Sequence, residues 1–206
     1  SILQWIPKNY GGIILGTGGD NKKYFFPNAR IAGVRGKITL NNIQGSKEGI
    51  ILGDPGLIMN LVYPKPVKRI YEIGIIPHFV DKNHSIVLKW KEKFKGKVLL
   101  IDVLRSPSKV INDIKKCKSI LSSSLHGLVI ADAYAIPNIR FIIKETQPAV
   151  SYKFADYYSA LNVEDVAIIA SGNETLEDLL AQMRLNEVKG IQENINRVLM
   201  NLKYLL

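Results

Sequence analysis

Ser119-Ile120-Leu121-Ser122-Ser123-Ser124-Leu125-His126-Gly127-Leu128-Val129-Ile130-Ala131-Asp132-Ala133-Tyr134-Ala135-Ile136-Pro137 carries a short triplet with two apolar residues into three serines and then into a long, mostly apolar run. The triplet fits a short buried strand over Ser119–Leu121. The run fits a helix over Leu125–Ala135, because it is too long for a strand and holds no breaker until Pro137. Past Pro137, Asn138–Ile143 is apolar again and reads as the next strand. A strand, a polar turn, a helix and a strand make one unit of a parallel α/β sheet.

The same alternation extends in both directions. Upstream, Ile70–Pro77 and Lys97–Val103 read as strands and Ser108–Cys117 as a helix. Downstream, Asp165–Ala170 is a strand, followed by helices over Leu176–Arg184 and Glu187–Leu205. In the last helix Ile191, Ile195, Val198, Leu199 and Leu202 fall on one face. Tyr63-Pro64-Lys65-Pro66 interrupts the pattern and reads as a linker. Ahead of it, three short apolar runs end at Gly16, Arg35 and Asp54, with helix-compatible sequence over Gly36–Ile43 and Pro55–Val62. Solid apolar strands followed by helices imply parallel sheets covered on both faces. The expected fold is therefore α/β with two Rossmann-like halves. Residues 1–63 form a partial N-terminal half, and residues 64–206 form a C-terminal half with terminal helices. The chain opens on Ser1 without an initiator Met, and the N-terminal half is expected to be incomplete.

The 206 residues carry 28 Lys plus Arg against 18 Asp plus Glu, a net charge of +10. A basic surface raises the encounter rate with anions. No basic stripe is interleaved with aromatics, so nucleic acid is not the expected partner. The single cysteine, Cys117, excludes an internal disulfide and suits a reducing compartment, so a cytoplasmic location is expected. Lysines beside Cys117 could lower its pKa, or the thiol could simply pack in the core. No apolar run is long enough to span a bilayer. The basic surface and the last helix could instead bring the protein to the inner face of a membrane, unless that helix is a core element.

Ligands of open parallel sheets bind beyond the carboxyl ends of the strands. Candidate site residues are accordingly read from the strand ends. Ser123, Ser124 and Gly127 lie where a helix begins, and the N–H groups there favour an anion. His126 sits in the first turn of that helix. The alternative is that the serines cap the helix and the imidazole is packed. Arg35 and Gly36 end another strand, and a guanidinium suits bidentate binding of a carboxylate or phosphate. Asp54 ends a third strand, where it could equally be a helix cap before Pro55. His78 ends a fourth. Asp132 lies further along the helix that His126 opens. Three scattered histidines and a lone cysteine make no metal set, so neither metal nor cofactor is expected.

These pieces, in this order, resemble the polysaccharide pyruvyl transferase family. The matching segments are I-I-L-G-T-G-G at 13–19, G-V-R-G-K-I-T at 33–39, L-G-D-P-G-L-I at 52–58, I-P-H-F-V-D at 76–81, S-S-S-L-H-G-L-V-I-A-D-A-Y-A-I-P at 122–137 and K-F-A-D-Y-Y at 153–158. Lys37 stands where the family often has proline. The resemblance implies a GT-B-like pair of halves with the site in a cleft. It implies phosphoenolpyruvate as donor. The acceptor would be a hexose of a cell-surface polysaccharide or of its lipid-linked precursor. On that reading His126 and His78 are acid–base groups, Arg35 and Gly36 meet the donor's anionic groups, Ser123, Ser124 and Gly127 hold phosphate, and Asp54 and Asp132 organise the site. A GT-B glycosyltransferase using a nucleotide sugar is the alternative enzyme. A non-catalytic anion- or nucleic-acid-binding module is the alternative from another class.

Overall fold

The computed structural model of the protein describes residues 2–144 and 151–203. The chain divides into two compact units. Unit 1 comprises Ser1–Ile58, Val150–Asp165 and Glu187–Leu206, and unit 2 comprises Met59–Ala149 and Val166–Asn186. The polypeptide thus returns to unit 1 twice after leaving it near residue 58.

Unit 1 holds the four short strands β1 (Ile13–Ile14), β2 (Arg30–Ile31), β3 (Gly33–Val34) and β4 (Ile51–Leu52). β1 pairs with β2, and β3 pairs with β4, all in parallel. Leu3, Ile14, Tyr24, Phe26, Val34 and Ile43 form its apolar core. Helix α1 (Lys37–Asn42) follows β3 directly. The 55–62 segment is a single 3₁₀ turn, Pro55–Ile58, running into the short helix α2 (Met59–Val62), rather than one continuous helix.

Unit 2 is a five-stranded parallel sheet. Its strands are β5 (Tyr71–Ile76), β6 (Val98–Leu100), β7 (Cys117–Ser122), β8 (Asn138–Ile142) and β9 (Ala167–Ile169), in the order β6-β5-β7-β8-β9. Helices α3 (Ser85–Lys93), α4 (Pro107–Lys115), α5 (Leu125–Ala133) and α7 (Leu176–Ala181) cover it, and α6 (Tyr152–Leu161) belongs to unit 1. One face packs Ile73, Ile75, Leu121 and Phe141 against Val87, Trp90, Leu176 and Leu179 of α3 and α7. The other packs Ile76, Ile101 and Ile120 against Ile114 of α4 and Ala131 of α5. Burial on both faces explains why these strands read as unbroken apolar runs. The α/β class with parallel sheets is as the sequence implied.

Cys117 opens β7 fully buried, and its thiol lies 3.3 Å from the Asp113 carbonyl oxygen, to which it donates. Burial pushes the thiol up to about 12, with the Asp113 carboxylate adding to the rise. The neighbouring lysines do not activate it, and the packing role is the one realised. Native protein at pH 8 should therefore not react with a thiol-specific disulfide reagent. One equivalent should react once guanidinium has unfolded the chain.

Helix α8 (Lys189–Lys203) packs within unit 1. Ile195 is fully buried, and Ile191 and Ile195 lie against Gly53 at the end of β4. The Gln192 side-chain amide donates to the Leu57 carbonyl at 2.7 Å. Ile191 and Ile195 of its apolar stripe thus pack into unit 1. Among the described residues no helix is long and apolar enough to cross a membrane.

Candidate active site

In unit 2 the chain goes from β5 out to β6 and then crosses back to β7 on the other side of β5. The strand order therefore reverses between β5 and β7. Connections leave their carboxyl ends in opposite directions, which opens a crevice there, and ligands of open α/β sheets bind at such points. Two of the predicted segments meet at this edge. Pro77-His78 follows β5, and Ser123-Ser124 follows β7.

Hydrogen bonds fix the two turns to one another. The Ser123 N–H donates to the Ile76 carbonyl at 3.0 Å. The Ser123 hydroxyl accepts from the His78 N–H at 2.8 Å. The Ser122 hydroxyl accepts from the Ser124 N–H at 3.0 Å and lies 3.0 Å from the Ile76 carbonyl and 2.8 Å from that of Ser124. Ser122 and Ser123 are buried, so they build the turn from inside, whereas Ser124 is half-buried at the start of α5. No side chain caps α5. His126, one residue into the helix, is exposed. The His78 ring is half-buried and tilts against Phe79, with centroids 4.5 Å apart.

Gly127 lets the helix approach the strand. A methyl group there would overlap the Ser122 hydroxyl and crowd the Ile76 side chain. Gly127→Ala should cost about 1–3 kcal/mol through overpacking. A urea unfolding series would show this as a lower midpoint at unchanged slope.

Asp132 is not brought to this edge. It lies in the last turn of α5, at the opposite end of the helix from Ser124. Its buried carboxylate accepts from the Asn138 side chain at 2.6 Å and from Asn186 at 3.0 Å. α5 runs antiparallel to the strands, so a residue two turns past its start is carried to the amino edge of the sheet.

Unit 1 gathers its own cluster. Arg35 ends β3 and is 3% exposed. Its Nε donates to an Asp156 carboxylate oxygen at 3.0 Å, and an Nη lies 2.9 Å from the same oxygen. Asp156, fully buried in α6, also accepts from the Thr39 N–H at 2.8 Å and the Thr39 hydroxyl at 2.6 Å. The Arg35 guanidinium lies against Gly18, and Gly36 abuts the Asp156 carbonyl. A side chain at Gly36 would occupy that carbonyl's position. The Gly19 N–H, in the glycine-rich turn after β1, donates to Thr39 at 3.1 Å. Asp54 behaves as a cap: its carboxylate accepts from the Gly56 N–H at 2.9 Å, and its carbonyl accepts from the Leu57 N–H at 2.9 Å. The Lys37 N–H donates to the Ser159 hydroxyl at 2.8 Å, a bond that proline at this position cannot make.

Sequence reasoning did not assign Asp156 a role. It stood within K-F-A-D-Y-Y, and an acidic residue amid aromatics on a helix is a signal that a buried cation must be found for it. Among the described residues, no group of three or more His, Cys, Asp or Glu side chains is placed to hold a metal ion.

Fold and turn together define a parallel α/β protein with a candidate ligand site at a topological switch point. The profile of the polysaccharide pyruvyl transferase family matches residues 4–145, and the chain belongs to that family. The matched stretch includes the β1 glycine turn, Arg35, Asp54, His78 and the whole Ser122–Pro137 segment. Among curated proteins, Uncharacterized protein L143 of Acanthamoeba polyphaga mimivirus is 37% identical over 139 residues, which is 64% of this chain and 48% of the relative. The chain thus spans about half the length of the curated relative it matches.

Proposed function

We propose that the protein moves an enolpyruvyl unit from phosphoenolpyruvate onto a hexose of a cell-surface polysaccharide or its lipid-linked precursor, forming a pyruvate ketal. Family membership supports the transferase class. The observation that carries the reading is the Ser123–His78 tie across the β5–β7 switch point, which gathers a polar turn, a helix start and two imidazole-bearing residues at one sheet edge. A GT-B-like pairing of the two halves belongs to the same proposal.

The chemistry requires protonation of the donor's C3. A sugar hydroxyl then adds to C2 and gives up its proton. The C2–O bond to phosphate breaks, inorganic phosphate leaves, and a second hydroxyl closes the ketal and loses its proton. His126 is exposed beside the turn and serves as the general acid or base. His78 is the second acid–base candidate. Ser124, Gly127 and the start of α5 would meet the phosphate, because the positive end of the helix dipole favours an anion. Ser123 positions the turn that presents them. Arg35, expected to meet an anionic group of the donor, is buried against Asp156 and would act instead by holding the glycine-rich turn at Gly18 in place. A cytoplasmic location accompanies this reading, since phosphoenolpyruvate is a cytoplasmic metabolite.

The test is phosphate release from phosphoenolpyruvate in the presence of a saccharide acceptor, paired with thermal shift. A ligand bound only by the folded protein raises its melting temperature. Phosphoenolpyruvate should raise it, and uridine or guanosine diphosphate should not. The reverse pattern would replace pyruvyl transfer with glycosyl transfer from a nucleotide sugar.

A further inference from the structure

The net charge of +10 is unevenly spread. Residues 61–72 contain Lys65, Lys68 and Arg69 against Glu72, and residues 104–118 contain Arg105, Lys109, Lys115, Lys116 and Lys118 against Asp113. Eight cations less two acids leave +6 on two segments of unit 2. The segments are joined in space. The Lys115 ammonium donates to the Tyr63 carbonyl at 2.9 Å and also to the Lys65 carbonyl, and the Ile70 N–H donates to the Lys116 carbonyl at 2.8 Å. A cavity of about 490 Å³ lies between them, with Lys65, Lys109 and Lys115 on its walls.

Ion pairing accounts for only part of this charge. Arg105 and Lys116 bind Asp113, and Lys118 binds Glu72. Among the described residues Lys65, Lys68, Arg69 and Lys109 form no ion pair, and all four are exposed. Aliphatic side chains stand among them. Leu61 is 57% exposed, Val62 54% and Ile70 56%. Unneutralised cations alone would suit any polyanion. Cations mixed with protruding aliphatic groups suit a surface that offers both negative charge and an apolar layer just beneath it. A phosphodiester backbone offers the charge without that layer.

We propose that this face of unit 2, formed by residues 61–72 and 104–118, docks onto an anionic lipid bilayer. Lys65, Lys68, Arg69 and Lys109 meet the headgroup phosphates, and Leu61, Val62 and Ile70 enter the interface. The assignment places membrane contact on unit 2. It does not depend on the proposed reaction, because the assay contains neither donor nor acceptor.

The experiment is co-sedimentation of the full chain with vesicles of phosphatidylcholine alone or with one third phosphatidylglycerol. Binding should require the anionic lipid and fall as salt is raised, since exposed charges are screened. Replacing Lys65, Lys68 and Arg69 together by glutamine should weaken partitioning about a hundredfold, at about 1 kcal/mol for each basic residue near the surface. Leu61→Ser with Val62→Ser should weaken it independently. Glutamine at Lys8, Lys22 and Lys23 of unit 1 should leave it unchanged. All the replaced side chains are exposed, and a thermal melt checks that each variant is folded. Equal binding to neutral vesicles overturns the proposal. So does undiminished binding by the triple variant, or displacement by inorganic phosphate beyond that produced by chloride of equal ionic strength. Duplex DNA binding more tightly than the anionic vesicles would assign the face to nucleic acid instead.

Discussion

His126→Ala should lower phosphate release from phosphoenolpyruvate by about 10²–10⁴-fold, the range that positioned acid–base groups supply. The unfolding transition should stay in place. The side chain is exposed in the first turn of α5, and truncation of an exposed side chain away from special backbone or cap positions changes stability by about 0.5 kcal/mol or less. The separation of rate from stability is what makes the variant informative. His126→Gln keeps most of the side chain's bulk but cannot take up and release a proton, so it should fall with the alanine variant. His78→Ala is a useful companion. The bond from residue 78 to Ser123 comes from the backbone N–H and survives the substitution, so any loss of rate reports the imidazole itself. Near-normal turnover by His126→Ala would remove the acid–base role assigned to it.

Asp156→Ala should cost about 3–5 kcal/mol, because it leaves the Arg35 charge buried without its counter-charge. The Arg35 and Asp156 side chains are 3% and 0% exposed, so water cannot replace the lost partner. The Thr39 N–H and hydroxyl lose their acceptor in the same step. Asp156→Asn keeps one oxygen for Thr39 but removes the charge, and should fall between wild type and alanine. Urea denaturation followed by circular dichroism measures both. An alanine variant within 1 kcal/mol of wild type would mean that Arg35 finds another anion or reaches solvent.

The sequence disclosed the elements best where burial is two-sided. β5, β8 and α5 lie within two residues of the spans read from apolar runs, because a strand or helix covered on both sides must be apolar throughout. β7 starts two residues earlier than expected, since Cys117 and Lys118 interrupt the run while still pairing with β5. α3 and α6 were not legible as helices. α3 starts at an unusual cap, in which the His84 ring accepts from the Ile86 N–H at 3.3 Å, so none of the usual capping residues marks it. α6 buries an acidic residue among aromatics, which breaks the apolar stripe that would reveal a helix. At the candidate site, His78 and the serine turn were legible because each ends a strand. Their mutual bonding was not, since 45 residues separate His78 from Ser123. Asp132 lies apart from the serine turn for a geometric reason: sequence proximity to His126 is lost along α5, which carries it to the helix's other end.

Unit 1 is stitched from distant parts of the chain. Asp156 follows Arg35 by 121 residues, and the Gln192 amide reaches back 135 residues to Leu57. During synthesis, the opening 58 residues must therefore wait for most of the chain to emerge before their buried arginine is neutralised and β4 is covered. Such long loop closures slow folding and leave apolar surface open to aggregation in the meantime. The nascent first unit should be a client for chaperones, and recovery from denaturant should be limited by its assembly rather than by the five-stranded sheet.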